Sequence, residues 1–339
     1  MKVLITGGAG YIGSTIAACC TDNGMTPVIV DDYSKGLREF ARPYAHYEGD
    51  IADVTVIRHI LSEHPDIEAV IHCAAKIVVP ESVSAPIDYY ENNVAKPLIL
   101  LRELSAAGIH RFILSSTASM YEPGENYMVD ETGAVDPQSP YAASKWMLER
   151  VLRDFAATGF MNAIALRYFN PIGADPQQRS GLQDPNPTHA LGKMIEAHHN
   201  NGVFTVTGVD WPTRDGSGLR DYVHVWDLAR AHVAALRNFD EVISASDVAG
   251  FDVINLGTGT GTTVFELANA FGDATGKPLD IATAPPRLGD VVGCATLTDK
   301  AERLLHWRAE LSIADGVKSS LEWAEKLPTV LSREQAAEK

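Results

Sequence analysis

Cysteine is scarce in this chain. Its 339 residues hold four, Cys19, Cys20, Cys73 and Cys294, without a CxxC pair or zinc-finger spacing. That pattern argues against a disulfide framework and against a structural metal, so no metal site is expected. Basic residues are in deficit too: 28 Lys and Arg face 44 Asp and Glu, a formal net charge of -16. A surface with acidic groups scattered along its length repels nucleic acid and anionic lipid, so neither is an expected partner. An anionic ligand would have to be held by local arginines and backbone amides. No apolar run reaches membrane-spanning length, no small-residue cleavage site precedes a mature start, and Met1-Lys2 leads at once into a strand-like run, so a reducing cytoplasm is the expected location. Internal repeats and low-complexity tracts are also missing.

What is present is an alternation. Short β-branched runs at Val3-Thr6, Pro27-Asp31, Ala45-Tyr47, Ala69-Cys73, Arg111-Ser115 and Ala163-Arg167 are separated by helical spacing, such as Val54, Ile57, Ile60 and Leu61. This predicts an α/β protein with a doubly wound parallel sheet (Rossmann) and a smaller C-terminal substrate-binding lobe. Residues 1-170 form the expected dinucleotide domain and 171-339 the expected lobe, with segments near 222-257 returning to the sheet. The Gly-, Pro-, Asp- and Gln-rich stretch 173-187 marks the boundary. Beyond it the pattern predicts helices over Ala190-His199, Val225-Phe239 and Thr263-Phe271, strands over Val203-Thr207 and Asp252-Leu256, and short terminal helices near Asp299-His306 and Ile313-Glu325.

Gly7-Gly8-Ala9-Gly10-Tyr11-Ile12-Gly13 lies between the first strand and a helix opening at Tyr11. Gly7 permits the tight turn, Gly10 lets the backbone approach a pyrophosphate, and Gly13 lets the helix lie close on the sheet with its first amides facing the phosphates. Asp31 and Asp32 end the second strand about 20 residues on, where a carboxylate accepts from ribose hydroxyls and repels a 2'-phosphate. NAD is therefore expected over NADP.

Tyr141-Ala142-Ala143-Ser144-Lys145 opens a helix that continues through Leu148 and Leu152. Four residues apart, Tyr141 and Lys145 share its inward face. A phenol is a weak base at neutral pH, and an ammonium and an oxidised nicotinamide beside it are expected to lower its pKa. The hydroxyl run Ser116-Thr117 follows a predicted strand, whose carboxyl end faces the ligand crevice of such a sheet.

Together with VIHCAA (Val70-Ala75), PES (Pro80-Ser82), YYENNV (Tyr89-Val94), SSTAS (Ser115-Ser119), SPYAASK (Ser139-Lys145), LRYFNPIGA (Leu166-Ala174), RDYVHVWDLA (Arg220-Ala229) and NLGTGTG (Asn255-Gly261), these landmarks resemble the extended short-chain dehydrogenase/reductases and, within them, the UDP-glucose 4-epimerase family. The resemblance covers nearly the whole chain. It implies Tyr141 as base and acid, Lys145 as its electrostatic partner, and Thr117 as a sugar contact. For the cofactor it implies Gly7, Gly10, Tyr11, Ile12, Gly13, Asp31, Asp32, Asp50, Ile51, Cys73, Ala74, Ala75, Asn92, Tyr141, Lys145 and Tyr168. For the UDP-sugar it implies Thr117, Tyr141, Asn170, Thr188, His189, Thr205, Arg220, Arg287, Asp290 and Cys294. A homodimer paired through helices near Tyr89-Ala107 and Tyr141-Ala157 is also implied.

The chain departs from the family pattern in places. Lys76 precedes the usual lysine site, now Ile77; Met120-Tyr121-Glu122 replaces valine-tyrosine-glycine; Leu288 replaces a proline. Cys294 stands where some relatives carry a pocket-narrowing tyrosine, which suggests room for a 2-acetamido group. Nucleotide-sugar 4,6-dehydratases share YxxxK but carry Thr-Asp-Glu where this chain has Thr117-Ala118-Ser119. An epimerase for UDP-pentoses or uronates, and a catalytically silent NAD-binding sensor, stay open at this point.

Overall fold

The computed structural model describes residues 1–286 and 291–337. Seven parallel strands form the central sheet, numbered here β1 (Lys2–Thr6), β2 (Thr26–Asp31), β3 (Ala45–Glu48), β4 (Ile67–His72), β5 (Arg111–Thr117), β6 (Asn162–Tyr168) and β7 (Phe251–Leu256). Their spatial order is β7-β6-β5-β4-β1-β2-β3. Chain order reverses between β1 and β4, and the crevice beyond the carboxyl ends of those two strands is where such sheets bind ligands.

Alternating residues along each strand supply two cores. Val3, Ile5, Ile29, Ile71, Ile113 and Ile164 pack on one face with the helices Tyr11–Asp22 and Val225–Arg237. Leu4, Val28, Val30, Val70, Phe112 and Leu114 pack on the other with Val54–Glu63, Lys96–Ala106 and Pro140–Ala156. Both faces are covered, which is why the strands read as apolar runs. At about 1.5–3 kcal/mol per fully buried large aliphatic chain, these layers dominate the stabilisation.

A smaller core, Leu191, Met194, Phe204, Val206, Leu267, Phe271 and Val317, holds the second lobe. The lobe is not one continuous stretch. Tyr222–His224 pairs with Asn170–Ile172, β7 lies beside β6, and the later residues Ala301, Leu304, Leu305 and Trp307 belong to the same core as β1. The chain thus returns to the sheet a second time, beyond 222-257. Sequence patterning misses this because an amphipathic helix fits either lobe.

Two helices differ from expectation. Tyr89-Ala107 divides into Pro86–Tyr90, a π-helical turn Glu91–Ala95, and Lys96–Ala106. Pro97 offers no N–H at this point, and π turns recur at functional sites. The terminal helix does not stop at Glu325 but runs Ile313–Ala337 through Pro328. Tertiary contacts carry it past the proline: Val330 and Trp323 pack on Phe40, and the Glu334 carboxylate accepts the amides of Arg38 and Glu39 at 2.7 and 2.9 Å.

Candidate active site

The glycine turn spans the switch point. Gly7 has φ +69°, and a Cβ there would meet the Ala74 amide nitrogen at 2.6 Å; one at Gly13 would meet the Gly7 carbonyl oxygen at 2.3 Å. Packing alone explains these two glycines. Gly10 is different, since its Cβ would meet nothing nearer than the Gly7 oxygen, at 3.4 Å. The protein has room for a side chain at Gly10, so that open space suits an approaching pyrophosphate. No side chain caps the helix Tyr11–Asp22, and its first turn carries no acidic residue. Bare amides at such an end attract anions.

Asp31 is buried at the tip of β2 and accepts the amides of Ala9 and Tyr33, each at 2.9 Å. A carboxylate has about four lone-pair directions, so capacity remains for ribose hydroxyls. Burial raises the Asp31 pKa above the usual carboxylate range, and the two amides oppose that shift. Asp32 is exposed, and one of its oxygens is taken by the amide and hydroxyl of Ser34. Asp50 pairs with Lys96 at 2.5 Å, Ile51 is buried beside it, and Asn92 donates to Asn93. Tyr11 donates from its hydroxyl to the Gly173 carbonyl at 2.6 Å, tying the turn to the segment that leaves the sheet. Together these groups fit an NAD molecule: a phosphate cradle, a ribose carboxylate, and, among the described residues, no cation among the hydrogen-bond partners of Asp31.

Ser139 begins the tyrosine helix by accepting the Ala142 amide on its hydroxyl at 3.2 Å, with Pro140 in the first turn, where its missing N–H costs nothing. Tyr141, Lys145 and Thr117 are all buried. Thr117 ends β5; its hydroxyl donates to Ser119 Oγ at 3.0 Å and accepts the Ser119 amide at 3.1 Å, and it lies close enough to the Tyr141 phenol to pull that group's pKa down. The expected lowering of the phenol's pKa is not met by the protein's own groups: burial raises it, and only Thr117 opposes. Burial likewise pulls the Lys145 ammonium down to about 8, against the upward pull of Cys73 and Glu149. Cys73 contacts Ser115 Oγ at 3.1 Å, which in turn contacts His232 Nε2 at 3.1 Å. Tyr168, at the end of β6, is held far above the usual phenol range by burial.

The expected substrate residues are less uniformly gathered. Asn170 pairs with Tyr222, and Arg220 donates to the carbonyls of Leu219, Val292 and Val291 at 2.7, 2.8 and 3.1 Å. Cys294 packs with Ala118, Tyr121 and Val129, adjoining Phe169. His189 caps Ala190–His199 by accepting the Gly192 amide, next to Thr188, and burial lowers its pKa to about 4. Thr205 is exposed on Val203–Thr207. Arg287 and Asp290 lie outside the described residues. Lys76 turns to Glu81 and Asp88, and Ile77 is exposed.

Several residues at the site were not singled out in the sequence. Asn93 is fully hydrogen-bonded: its amide group accepts from the Lys76 amide and donates to the Lys76 carbonyl and to Ser144 Oγ, joining the loop after β4 to the tyrosine helix. Glu149 and Arg167 form a buried ion pair at 2.6 Å. The available signal was a carboxylate four residues after Lys145, on the face already assigned inward.

The glycine turn, ribose carboxylate and buried tyrosine-lysine pair define a dinucleotide-dependent enzyme of the dehydrogenase type. The model of the NAD dependent epimerase/dehydratase family matches residues 3–257, and the chain belongs to that family. It is 39% identical over 325 residues to the UDP-glucose 4-epimerase of Rhizobium leguminosarum bv. trifolii, covering 96% of this chain and 97% of the relative. A crystal structure of the Bifidobacterium longum UDP-glucose 4-epimerase in complex with NAD+ and UDP is similar at a TM-score of 0.88 and 34% identity, over 97% of this chain and 100% of that one. The UDP-Glc/GlcNAc 4-epimerase of Campylobacter jejuni is similar at 0.79 and 31%, over 96% and 99%.

Proposed function

We propose that the chain interconverts UDP-glucose and UDP-galactose by transient oxidation at C4 through a 4-keto intermediate. The observation that carries this is the burial of Tyr141 and Lys145 one turn apart on a single helix, with Thr117 near enough to act on the phenol and Lys145 near enough to act on His72 and Cys73 at the carboxyl end of β4. When bound, NAD+ supplies a hydride acceptor and a positive ring charge. Gly7, Gly10, Gly13 and the amides of Tyr11 and Ile12 hold the pyrophosphate, and Asp31 takes the adenosine ribose. Tyr141 Oη removes the 4-hydroxyl proton and later returns it, with Thr117 hydrogen-bonding the same sugar oxygen. Because burial keeps the phenol protonated in the protein alone, its ionisation depends on a loaded site. Lys145 stabilises the phenolate and hydrogen-bonds ribose. Arg220 and Asn170 hold the UDP, so that affinity rests on the unreactive nucleotide and the sugar is free to turn over between hydride transfers. Conversion of UDP-glucose to UDP-galactose by the purified protein, lost in Tyr141→Phe, is the test; a UDP-pentose or uronate turned over in place of the hexose would select the alternative substrate, and NAD binding without turnover a sensor.

UDP-N-acetylglucosamine is a second proposed substrate, favoured by the small residues Ala118 and Cys294 packed together beside Phe169. Cys294→Tyr is expected to abolish turnover of the acetylated sugar while sparing UDP-glucose; equal loss of both rejects the idea. We also propose a homodimer. Tyr90, Val94, Ala95, Leu98 and Met147 line one apolar depression formed by the helices near 86–106 and 140–156, and Leu98 and Met147 are exposed there. Among the described residues no helix is long and apolar enough to cross a membrane. A reducing cytoplasm, which suits four free cysteines, is the proposed location.

A further inference from the structure

Glu149 and Arg167 take no part in the steps above, yet both are buried directly behind them. Arg167 donates Nη2 to Glu149 Oε2 at 2.6 Å and Nε to Oε1 at 3.0 Å, a two-point pairing. Ser116 Oγ donates to the same Oε1. Arg167 Nη1 reaches the Tyr121 hydroxyl at 2.7 Å, which donates to Asn255 Oδ1 at 2.8 Å. The carboxylate therefore joins three elements at once: the helix of Tyr141 and Lys145, β5 next to Thr117, and β6 next to Tyr168. Stability does not by itself account for such a pair, since apolar replacements of buried ion pairs are often equally stable.

Tyr141, Lys145 and Glu149 are spaced four apart and share one helix face. The groups that act on or sit against Lys145 are His72 and Cys73 from the end of β4, and Tyr141 and Glu149 from its own helix; Arg167 and Ser116 stand behind Glu149, and Tyr168 lies beside Tyr141 and Cys73. Burial makes His72, Cys73, Tyr141 and Tyr168 uncharged near neutral pH, leaving Glu149 as the negative charge of this set.

We propose that Glu149 is a positioning residue for the reaction: locked by Arg167 and Ser116, its carboxylate keeps Lys145 an ammonium within a dry site and fixes the helix that aims Tyr141 at Thr117. The role rests on the epimerase reading. Burial already disfavours the Lys145 charge, so losing the opposing carboxylate while Arg167 stays displaces its titration further towards acid.

The test is Glu149→Gln in the NAD-loaded enzyme, with pH profiles of kcat and the Lys145 titration midpoint followed by 13Cε NMR. The midpoint should move acidward by roughly one pH unit. At the wild-type midpoint kcat should then fall about fivefold, but less than twofold at about 1.5 pH units below it, with KM for UDP-glucose little changed. Glu149→Gln/Arg167→Met removes both charges and should bring the midpoint back towards wild type. An equal loss at every pH with an unmoved midpoint, or a double variant no closer to wild type than the single one, overturns the proposal. Should the single variant fail to fold, Glu149→Asp, which keeps the charge, should retain the wild-type midpoint, and a displacement of about a unit there overturns it. Wild-type turnover tests the epimerase reading separately, because the NMR midpoint is read whether or not the sugar reacts.

Discussion

A methyl group added at Gly10 separates what the protein requires of its glycine turn from what the cofactor requires. The new Cβ would have the Gly7 oxygen as its nearest neighbour, at 3.4 Å, an ordinary contact, and Gly10 has φ -81°, which alanine adopts without strain. Gly10→Ala should therefore fold and melt like the wild type. A pyrophosphate seated on the turn, however, would be displaced by the methyl. Losing one charge-assisted amide–phosphate hydrogen bond is worth about 1.5–3 kcal/mol, or roughly 10- to 100-fold in NAD affinity. Gly13→Ala is the contrasting case, because its Cβ would lie 2.3 Å from the Gly7 oxygen and 2.9 Å from the Gly8 Cα, both backbone atoms. It should destabilise the fold itself by about 1–3 kcal/mol and lower the melting temperature by a few degrees. The assay is bound nucleotide after gel filtration, alongside titration calorimetry and thermal melts of the three proteins. Wild-type NAD affinity in Gly10→Ala would refute the placement of the pyrophosphate over this turn.

Tyr141→Phe fills the same space and should leave the melting curve alone while lowering kcat about 100- to 10,000-fold; Thr117→Val should lose less. His232 is buried and uncharged, its pKa lowered by burial to about 4, so the unfolded chain takes up a proton that the folded one refuses as pH falls below 6.5. From pH 7.5 to 5 that costs about 2 kcal/mol. Raised carboxyls such as Asp31, Glu131 and Asp221 act in the opposite direction, so the check is a comparison: urea midpoints of His232→Gln should show about 2 kcal/mol less acid loss than wild type. Glu334→Ala removes the acceptor of the Arg38 and Glu39 amides and should speed hydrogen exchange there roughly fivefold, about 1 kcal/mol of local stability. If the proposed homodimer forms through the helices near 86–106 and 140–156, Met147→Glu should yield a monomer in light scattering, and a dimeric mass in the variant would refute that interface.

The parts of this molecule that are local in sequence were legible before the structure. The parallel strands announce themselves as Val and Ile runs because both faces are buried, and the glycine turn and YxxxK because their chemistry needs fixed short spacings. Groups that meet across the fold were not. The spacing of Glu149, four residues after Lys145, puts it on the inward helix face, but only the approach of β6 brings Arg167 to it. Asn93 joins Lys76 to Ser144 through a turn whose π geometry no periodicity announces. The second return of the chain, through Ala301 to Trp307, and the helix that passes Pro328 both depend on distant partners. Local patterning likewise says nothing of the burial that raises the Tyr141 pKa among the protein's own groups, which only the packing of its helix on the sheet makes visible.

The most direct measurement follows a deuterium at C4 of UDP-glucose through the reaction in ordinary water. Oxidation and reduction at one carbon, with the same hydride taken and given back, predict UDP-galactose that keeps the label at C4, formed about 100- to 10,000-fold more slowly by Tyr141→Phe. Label washed into solvent, or epimer formed undiminished without the Tyr141 hydroxyl, would contradict the account.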